Sequence, residues 1–352
     1  MNATLQPRLG FIDSLRLLAA VLVFAQHLFE KRDGLFKTWL IPLAPGVTGV
    51  AIFFFISGYV IPMAARDGFN IRDFMVRRVF RIFPVYIATL LLMAAAGASG
   101  FLPTFAFIAE ASPIVWLANI SLVSEYIGIK TFLGVSWTLA VEMVWYIAFA
   151  VSIKLFGSRA ADRLDLFVPL SLIALTVLSL ALQVRIPLGR PTMIYAAVIG
   201  FQCFRFHAGE IDARQLARSI ATFLIVAIIA MVVAFGVFAH PNLTVSQAVG
   251  PWIVATASFL FFALWTPLRD ARALNYGIVP ALGAMSYSIY LLHPITSATA
   301  KTYFATALEV PAAIALTGVV SWVGYNYVER PFMRLGRSVV GRGKHRRALG
   351  QA

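Results

Sequence analysis

The feature that most constrains this chain is a series of apolar runs, each about as long as a bilayer is thick. A transmembrane helix takes about 20 predominantly apolar residues, and such runs recur from near Leu15 to near Val328. Only 12% of the 352 residues are charged and 60% are hydrophobic, whereas about 25% of the residues of a soluble domain are charged. So few charges cannot cover the surface of a water-soluble globule. The sequence therefore predicts an all-α, polytopic membrane bundle of about ten transmembrane helices with no soluble domain.

We predict ten spans and one further segment, residues 113–124, that is re-entrant or interfacial. A transmembrane domain over residues 1–335 is predicted to precede a basic cytoplasmic tail over residues 336–352. The single cysteine, Cys203, excludes an intrachain disulfide and is interpreted as a small core residue. The ten spans are residues 14–30, 46–65, 82–100, 133–156, 165–183, 192–206, 217–239, 248–267, 278–299 and 311–328.

The positions of lysine and arginine predict the orientation of these helices, because cytoplasmic loops carry an excess of both residues. With the N-terminus inside, 21 of the basic residues outside the first span lie on the inner side and 7 on the outer side. Both termini are therefore predicted to be cytoplasmic, with the basic tail resting on anionic lipid headgroups. The net charge of +14 is explained by topology and needs no nucleic acid partner.

Two ionisable residues mark the first span. An ionisable side chain at the centre of a membrane helix costs at least about 2.5 kcal/mol, so each one needs a reason. Arg16 and His27 share one helix face and are separated by about 16 Å along the axis. Histidine can act as a general base near neutral pH. The structural alternatives are a core histidine that donates to a backbone carbonyl and an interfacial arginine paired with Asp13.

Polar residues also occur in the second and fourth predicted spans. Glu142 lies near the middle of the fourth span, where a carboxylate must be protonated, paired or functional. His27 and Arg16 are its expected partners. In the second span, Ser57 and Tyr59 accompany several glycines that allow a helix or ligand to approach the backbone closely. Tight helix packing and a substrate-channel wall both fit that pattern.

A basic segment precedes the third span. Arg77 and Arg81 lie four residues apart and Arg78 and Arg81 three apart, so their guanidinium groups lie close together on a helix. Arginine binds phosphate oxygens bidentately, and the cluster therefore suits a phosphate-rich ligand. The alternative is a positive-inside stop-transfer cluster.

The ninth predicted span has a polar face. Tyr287, Tyr290 and His293 are spaced to share one side of the helix, which indicates either a functional site or a hydrogen-bond network between helices. Glu329 and Pro331 follow the tenth span, where a structural role at a helix end is favoured.

Several motifs are missing from the sequence. It contains no P-loop, no His or Cys spacing typical of a metal site, and no nucleophile elbow of a serine hydrolase. The sequence therefore predicts no metal and no obvious site for ATP hydrolysis.

Taken together and in order, six sequence blocks resemble the membrane acyltransferase 3 family. Each block alone is weakly diagnostic, but six in order at membrane-consistent spacing are specific, and they extend from Leu9 to about Leu335. The blocks are Phe11 to His27, Phe54 to Tyr59, Arg77 to Tyr86, Trp137 to Glu142, Ser286 to His293 and Glu329 to Pro331.

The resemblance implies a ten-helix core in a bacterial inner membrane. Such a core moves an acyl group, usually acetyl, from cytoplasmic acyl-CoA to a hydroxyl of a carbohydrate acceptor on or across the bilayer. Some members carry an additional extracytoplasmic hydrolase-like domain, for which this chain has no residues. The chain is therefore expected either to finish the reaction or to pass the acyl group to a separate extracytoplasmic transferase.

The resemblance also suggests roles for the residues. The three arginines Arg77, Arg78 and Arg81 would hold the CoA phosphates. His27 would be the general base or a transient acyl carrier, Glu142 would orient or charge it, and Arg16 would position the thioester. The remaining candidates, which would bind substrate or support the site, are Ser57, Tyr59, Tyr287, Tyr290 and His293.

Two other classes of protein remain as alternatives. In a proton-coupled transporter or flippase, the intramembrane His, Glu and Arg residues would form a proton relay or substrate path. In a non-catalytic scaffold, the polar residues would only fix helix packing. Binding of CoA at Arg77 and Arg81 would separate the enzyme from both.

Overall fold

The structure, a computed structural model, describes residues 9–30, 38–65, 68–238 and 243–349. These residues form helices and no β-sheet. Some basic residues used to predict the orientation lie outside the described residues, as does the end of the predicted tail; they are Arg8, Lys31, Arg32, Lys37, Arg66 and residues 350–352.

The helices are numbered in chain order over the described residues. Two π-helical segments, Val233–Val237 and Gly324–Glu329, continue the helices before them. The α-helices are α1 Gly10–Phe29, α2 Pro45–Val60, α3 Ile71–Ala98, α4 Ala106–Ala109, α5 Pro113–Ile120, α6 Trp137–Phe156, α7 Ala160–Leu182, α8 Gly189–His207, α9 Ala213–Val232, α10 Val245–Leu264, α11 Thr266–Arg269, α12 Arg272–Asn275, α13 Ile278–Ala284, α14 Ser286–Tyr303, α15 Thr306–Val323 and α16 Arg330–Leu349.

Helix length and composition establish a multi-pass membrane protein. In the described part of the chain, seven helical stretches are long and apolar enough to cross a membrane, or up to nine if two bent pairs each form one span. The protein is therefore an all-α polytopic bundle, and the count over the described residues is below the predicted ten. The seven stretches are Gly10–Phe29, Ile41–Met63, Ile71–Ala98, Trp137–Leu182, Ala213–Val237, Val245–Leu264 and Thr306–Gly341.

Two features account for the lower count. The helix α8 carries Arg190, Gln202 and Arg205, whose polarity keeps it below the hydropathy of a clear span. In addition, the stretch Trp137–Leu182 of 46 residues counts once among the seven, although it contains both α6 and α7, which match two predicted spans and are separated by the 3-10 turn Gly157–Arg159. At about 1.5 Å per residue this stretch is longer than two crossings of a hydrocarbon core about 30 Å thick.

The first bent pair includes part of the segment 113–124, which was predicted to be re-entrant or interfacial. The second bent pair includes most of the predicted span 278–299. Pro103–Ala109 and Pro113–Ile120 meet at 102°, the geometry of a broken span or a re-entrant loop. This agrees with the interpretation of 113–124 as re-entrant. In the second pair, α13 ends at Ala284 and α14 begins at Ser286, so the predicted span 278–299 is interrupted at Met285.

The chain folds into two compact units. The first comprises Met1–Asp67 and Val151–Ser286, and the second comprises Gly68–Ala150 and Tyr287–Ala352. The predicted domain boundary between residues 335 and 336 lies inside α16 and stays a prediction.

In the first unit, glycines bring α2 and α8 into backbone contact. A Cβ added to Gly58 on α2 would overlap the backbone of Ala197 on α8, and one added to Gly200 on α8 would overlap the backbone of Phe55 on α2. Small residues permit such an approach between membrane helices. These glycines therefore serve tight helix packing.

In the second unit, polar caps and one buried amide organise α3 and the segment that follows it. The side chain of Asn70 caps α3 by accepting a 3.1 Å hydrogen bond from the Asp73 amide. Tyr86 on α3 donates to the carbonyl of Asn119 at 2.9 Å. The buried Asn119 side chain in turn accepts from the Phe132 amide at 2.8 Å, which ties α5 to the chain that leads into α6.

Candidate functional site

Arg16 forms an ion pair with Asp13, which lies one turn earlier on α1. Its Nη1 lies 2.8 Å from Oδ1 of Asp13, and the two side chains are 19% and 7% exposed. This is the pairing that the interfacial interpretation of Arg16 predicts. Because a carboxylate already offsets its charge, a role of Arg16 in positioning substrate stays a prediction.

His27 lies in the last turn of α1 with an exposed side chain. Its Nδ1 is 3.0 Å from the carbonyl oxygen of Val23. A carbonyl only accepts hydrogen bonds, so Nδ1 carries the hydrogen in this contact and Nε2 of the neutral ring has the lone pair. The contact with a backbone carbonyl matches the structural interpretation of this residue, whereas the exposure does not fit a core histidine.

In the second unit, Glu142 is paired along its own helix. Tyr146, one turn later on α6, donates a hydrogen bond to Oε1 of Glu142. The guanidinium carbon of Arg78 on α3 lies 5.4 Å from the centre of the Tyr146 ring and 5.2 Å from that of Phe74. Glu142 also interacts electrostatically with Arg78. The Nε of Arg78 is buried with no hydrogen-bond partner among the residues described.

Arg81 lies one turn further along α3 and faces acidic and phenolic groups. It interacts electrostatically with Glu329, Glu142 and Tyr287. Glu329 is buried and its Oε2 accepts a 2.7 Å hydrogen bond from the hydroxyl of Ser288. We call Arg78, Arg81, Glu142 and Glu329 the charge cluster. In it, two guanidinium groups are matched by two carboxylates.

The charge cluster bears on the interpretation of the three arginines. Arg78 and Arg81, predicted to hold phosphates, lie against aromatic rings and carboxylates. Arg77 is half-buried and has no hydrogen bond or ion pair with another described residue. The three predicted residues therefore have different surroundings, and their binding of phosphate stays a prediction.

The other predicted residues of α14 form a hydrogen-bond network in the second unit. Tyr287 donates to the carbonyl of Ile82 on α3 at 2.6 Å. The hydroxyl of Tyr290 lies 2.7 Å from Oγ1 of Thr138 on α6. His293 is buried, with its ring centre 6.2 Å from that of Tyr290. The network that the sequence offered as one alternative is thus present.

The predicted catalytic residues are divided between the two units. Arg16 and His27 belong to the first unit and Glu142 to the second. The pairing of Glu142 with His27 therefore stays a prediction.

Tyr59 has a polar partner within the first unit. Its hydroxyl lies 2.8 Å from Nδ1 of His207, and the two ring centres are 5.6 Å apart. Burial and the positive charge of Arg269 lower the pKa of His207 below its ordinary value. Ser57, in the last turn of α2, has a buried hydroxyl with no hydrogen-bond partner in the described ranges.

Sequence reasoning did not single out His207, Ser288 or the role of Tyr146. A signal for Tyr146 was available, because it follows Glu142 by four residues and so lies on the same helix face. The other two had no local signal. Ser288 and Glu329 are 41 residues apart, and Tyr59 and His207 are 148 apart.

Two further features concern cysteine and metal ligands. Cys203 is buried in α8, as expected of a core residue. Within the described ranges, no group of three or more His, Cys, Asp or Glu side chains is arranged to hold a metal ion.

Comparison with known proteins gives a family match over most of the chain. The acyltransferase domain of the acyltransferase 3 type matches residues 9–326. This range contains every predicted catalytic, donor-binding and supporting residue, from Arg16 to His293. No solved structure matches the chain.

Three curated relatives have the same level of identity but different coverage. The exopolysaccharide production protein ExoZ of Rhizobium meliloti (strain 1021) is 28% identical over 306 residues, 83% of this chain and 91% of that protein. Acyltransferase MdmB of Streptomyces mycarofaciens is 28% identical over 45% of this chain and 42% of its own length. Nodulation protein 10 of Rhizobium leguminosarum bv. viciae is 28% identical over 41% of this chain and 44% of its own length. The chain thus matches less than half the length of the last two relatives.

Proposed function

Because the chain belongs to the acyltransferase 3 family, which matches residues 9–326, we propose that it is an integral-membrane O-acyltransferase. It moves an acetyl or longer acyl group from cytoplasmic acyl-CoA to a hydroxyl of a cell-surface or lipid-linked carbohydrate. The family match carries this proposal. Similarity to a protein named for exopolysaccharide production, over 83% of this chain, supports a carbohydrate acceptor.

In the proposed reaction, His27 is the general base. It takes the proton from the acceptor hydroxyl as that oxygen attacks the thioester carbonyl. The new ester C–O bond forms, the C–S bond breaks, and the proton passes to the leaving thiolate to give CoA. The contact of Nδ1 with the Val23 carbonyl supports this role because it leaves the lone pair on Nε2. In a second version His27 itself carries the acyl group before transfer.

Glu142 and Arg16 assist His27 in this proposal. Glu142 orients or charges the imidazole, or assists proton transfer, and its hydrogen bond from Tyr146 supports a fixed carboxylate. Arg16 positions the thioester. The unbroken helix α1 separates Arg16 from His27 by about 16 Å, so a cytoplasmic donor can serve an acceptor in the outer half of the bilayer.

The donor is acyl-CoA, and Arg77, Arg78 and Arg81 contact its phosphate-bearing part. Arg77 supports this assignment through its lack of an ion pair with other described residues. The enzyme lies in the bacterial inner membrane with cytoplasmic termini, as the distribution of basic residues favours. A separate extracytoplasmic transferase is a possible recipient of the acyl group.

Mass spectrometry of the surface glycans tests the proposal. Four strains of the source organism are compared: a deletion strain, and the same strain restored with wild type, His27→Ala or Lys301→Ala at matched protein level. Lys301 is exposed and serves as the control. An acyl ester should disappear on deletion, return with wild type and Lys301→Ala, and stay absent with His27→Ala.

Other outcomes would contradict the proposal in different ways. Full restoration by His27→Ala would overturn the role of His27. Absence of any acyl difference, together with CoA-independent transport by the purified protein, would favour a proton-coupled transporter or flippase. Intramembrane ionisable groups such as the charge cluster also occur in proton paths.

A further inference from the structure

We propose that the first unit contains a phosphate-binding site for the nucleotide part of the acyl donor, formed by Tyr59, His207 and Arg269. The inference rests on the proposed function, since it identifies additional residues that bind the same donor. None of the three residues belongs to the charge cluster.

The three residues lie at three helix ends in the first unit. Tyr59 is in the last turn of α2, His207 is the last residue of α8, and Arg269 is the last residue of α11. The Tyr59 hydroxyl lies 2.8 Å from Nδ1 of His207. Arg269 interacts electrostatically with both His207 and Tyr59. A phenol and an imidazole thus lie in hydrogen-bond contact, and the charge of a guanidinium group acts on both.

Arg269 is available to an anionic ligand. Its Nε lies 3.0 Å from Oδ1 of the adjacent Asp270, and the two side chains are 30% and 61% exposed. Ion pairs between exposed side chains are weak, so a phosphate group can compete with Asp270. Arginine binds phosphate oxygens through several N–H groups at once.

His207 can donate to the same ligand. When the Tyr59 hydroxyl donates to Nδ1, the neutral imidazole carries its hydrogen on Nε2. Tyr59 from α2 and Arg269 from α11 face it from the other elements. On its own helix, Arg205 is already paired with Asp162 at 2.6 Å. A bound phosphate would supply the negative charge that favours His207 in its protonated form.

The segment that carries Arg269 is held in place. Nδ2 of Asn275 donates to the Arg269 carbonyl at 2.6 Å, and Oδ1 of Asn275 accepts from the Phe11 amide at 3.3 Å. The hydroxyl of Ser14 donates to the Leu274 carbonyl at 2.8 Å. These bonds attach the segment to the start of α1. A fixed backbone reduces the entropy lost when a ligand binds.

The charges of the donor favour such a site. The nucleotide of CoA carries several phosphate groups, which need positive charge that is not already neutralised. Arg78 and Arg81 in the second unit face Glu142 and Glu329. Arg269 faces one exposed carboxylate, which can turn away into solvent.

Two donors separate nucleotide binding from a general structural effect. Transfer is measured with the full chain in nanodiscs of zwitterionic lipid, from acetyl-CoA and from acetyl-pantetheine, which lacks the nucleotide. Arg269→Gln should raise KM for acetyl-CoA roughly ten-fold with unchanged kcat, the loss expected for a charge-assisted hydrogen bond. It should leave KM for acetyl-pantetheine unchanged. Arg272→Gln, an exposed arginine three residues later, is the control and should alter neither.

Equal losses with both donors, or unchanged KM for acetyl-CoA, would overturn the site. So would a KM effect that appears only when anionic lipid is added, because the arginine would then bind lipid headgroups. If the wild type transfers nothing from either donor, the proposed function fails, and calorimetric binding of CoA decides the site separately. Weaker binding of CoA by Arg269→Gln than by Arg272→Gln would retain it, and equal or absent binding would remove it.

Discussion

The hydroxyl of Ser288 donates a 2.7 Å hydrogen bond to Glu329, and both residues are buried. Glu329 ends the π-helical segment Gly324–Glu329 that continues α15. A π-helical turn changes the register of the residues after an α-helix, and such turns are frequent at functional sites. Here the turn ends at a carboxylate that also interacts with Arg81.

Removing the charges of both Arg81 and Glu329 should cost less than the sum of the two single losses. Arg81→Gln leaves the buried Glu329 without a positive charge that faces it, and Glu329→Gln leaves Arg81 with Glu142 alone. Each change is expected to cost up to about 3–5 kcal/mol of the free energy of unfolding. The double variant Arg81→Gln/Glu329→Gln should lose less than the sum of the two, with a coupling of about 1–3 kcal/mol. Thermal unfolding of the purified variants measures this. Additive losses would mean that the two charges do not interact, and Ser288→Ala gives the separate effect of the hydroxyl.

A methyl group at Gly58 should destabilise the first unit. In Gly58→Ala the new Cβ would overlap the backbone of Ala197, which cannot move away as a flexible side chain could. Overpacking of this kind costs typically about 1–3 kcal/mol. Gly250→Ala is the matched control, because Gly250 is also helical and a Cβ there meets no atom within 4 Å. A loss of thermal stability in the control but not in Gly58→Ala would contradict the close contact of α2 with α8.

Tyr146→Phe should reduce acyl transfer while preserving the amount of folded protein. The change removes the hydrogen bond to Glu142 and keeps the aromatic ring beside Arg78. A carboxylate that loses a buried hydrogen bond is less well fixed, and we expect roughly a ten-fold lower kcat. Tyr303→Phe removes an exposed tyrosine hydroxyl that bonds to the Phe101 carbonyl and is the control. Equal activity of the two variants would separate Tyr146 from the reaction.

Stability should fall as the pH is lowered past the ordinary pKa of histidine, in part because of His207. Burial and the charge of Arg269 lower the pKa of His207 in the folded protein. The unfolded chain, with an ordinary pKa of about 6.5, then binds a proton that the folded chain does not, so acid favours unfolding. The apparent Tm should therefore drop between about pH 7 and pH 5.5. His207→Gln should make this drop smaller, and an unchanged pH dependence would exclude His207 as a cause.

Much of the candidate site could be predicted because it depends on local sequence. Glu142 was predicted because a carboxylate in an apolar helix is costly and needs a partner. Helical spacing predicted the arginines Arg77, Arg78 and Arg81 and the tyrosine Tyr287. Their partners on other helices were not predictable. Arg81 was expected to bind phosphate, but the structure adds the carboxylates of Glu142 and Glu329 to its surroundings.

The helix count shows the same division between local and tertiary information. Apolar run length correctly indicated a multi-pass bundle, since the hydrocarbon core sets that length. The predicted spans 133–156 and 165–183 correspond to α6 and α7. The sequence did not indicate that the predicted span 278–299 is interrupted at Met285.

Hydropathy and short motifs, each within one helix, were enough to predict the membrane class and the family, because both are local properties of the chain. The contacts of Ser288 with Glu329 and of Tyr59 with His207 follow from the packing of separate helices. Helical periodicity relates residues one or a few turns apart on the same helix. Which helix faces meet depends on contacts such as that of Gly58 with Ala197, between residues distant in the chain.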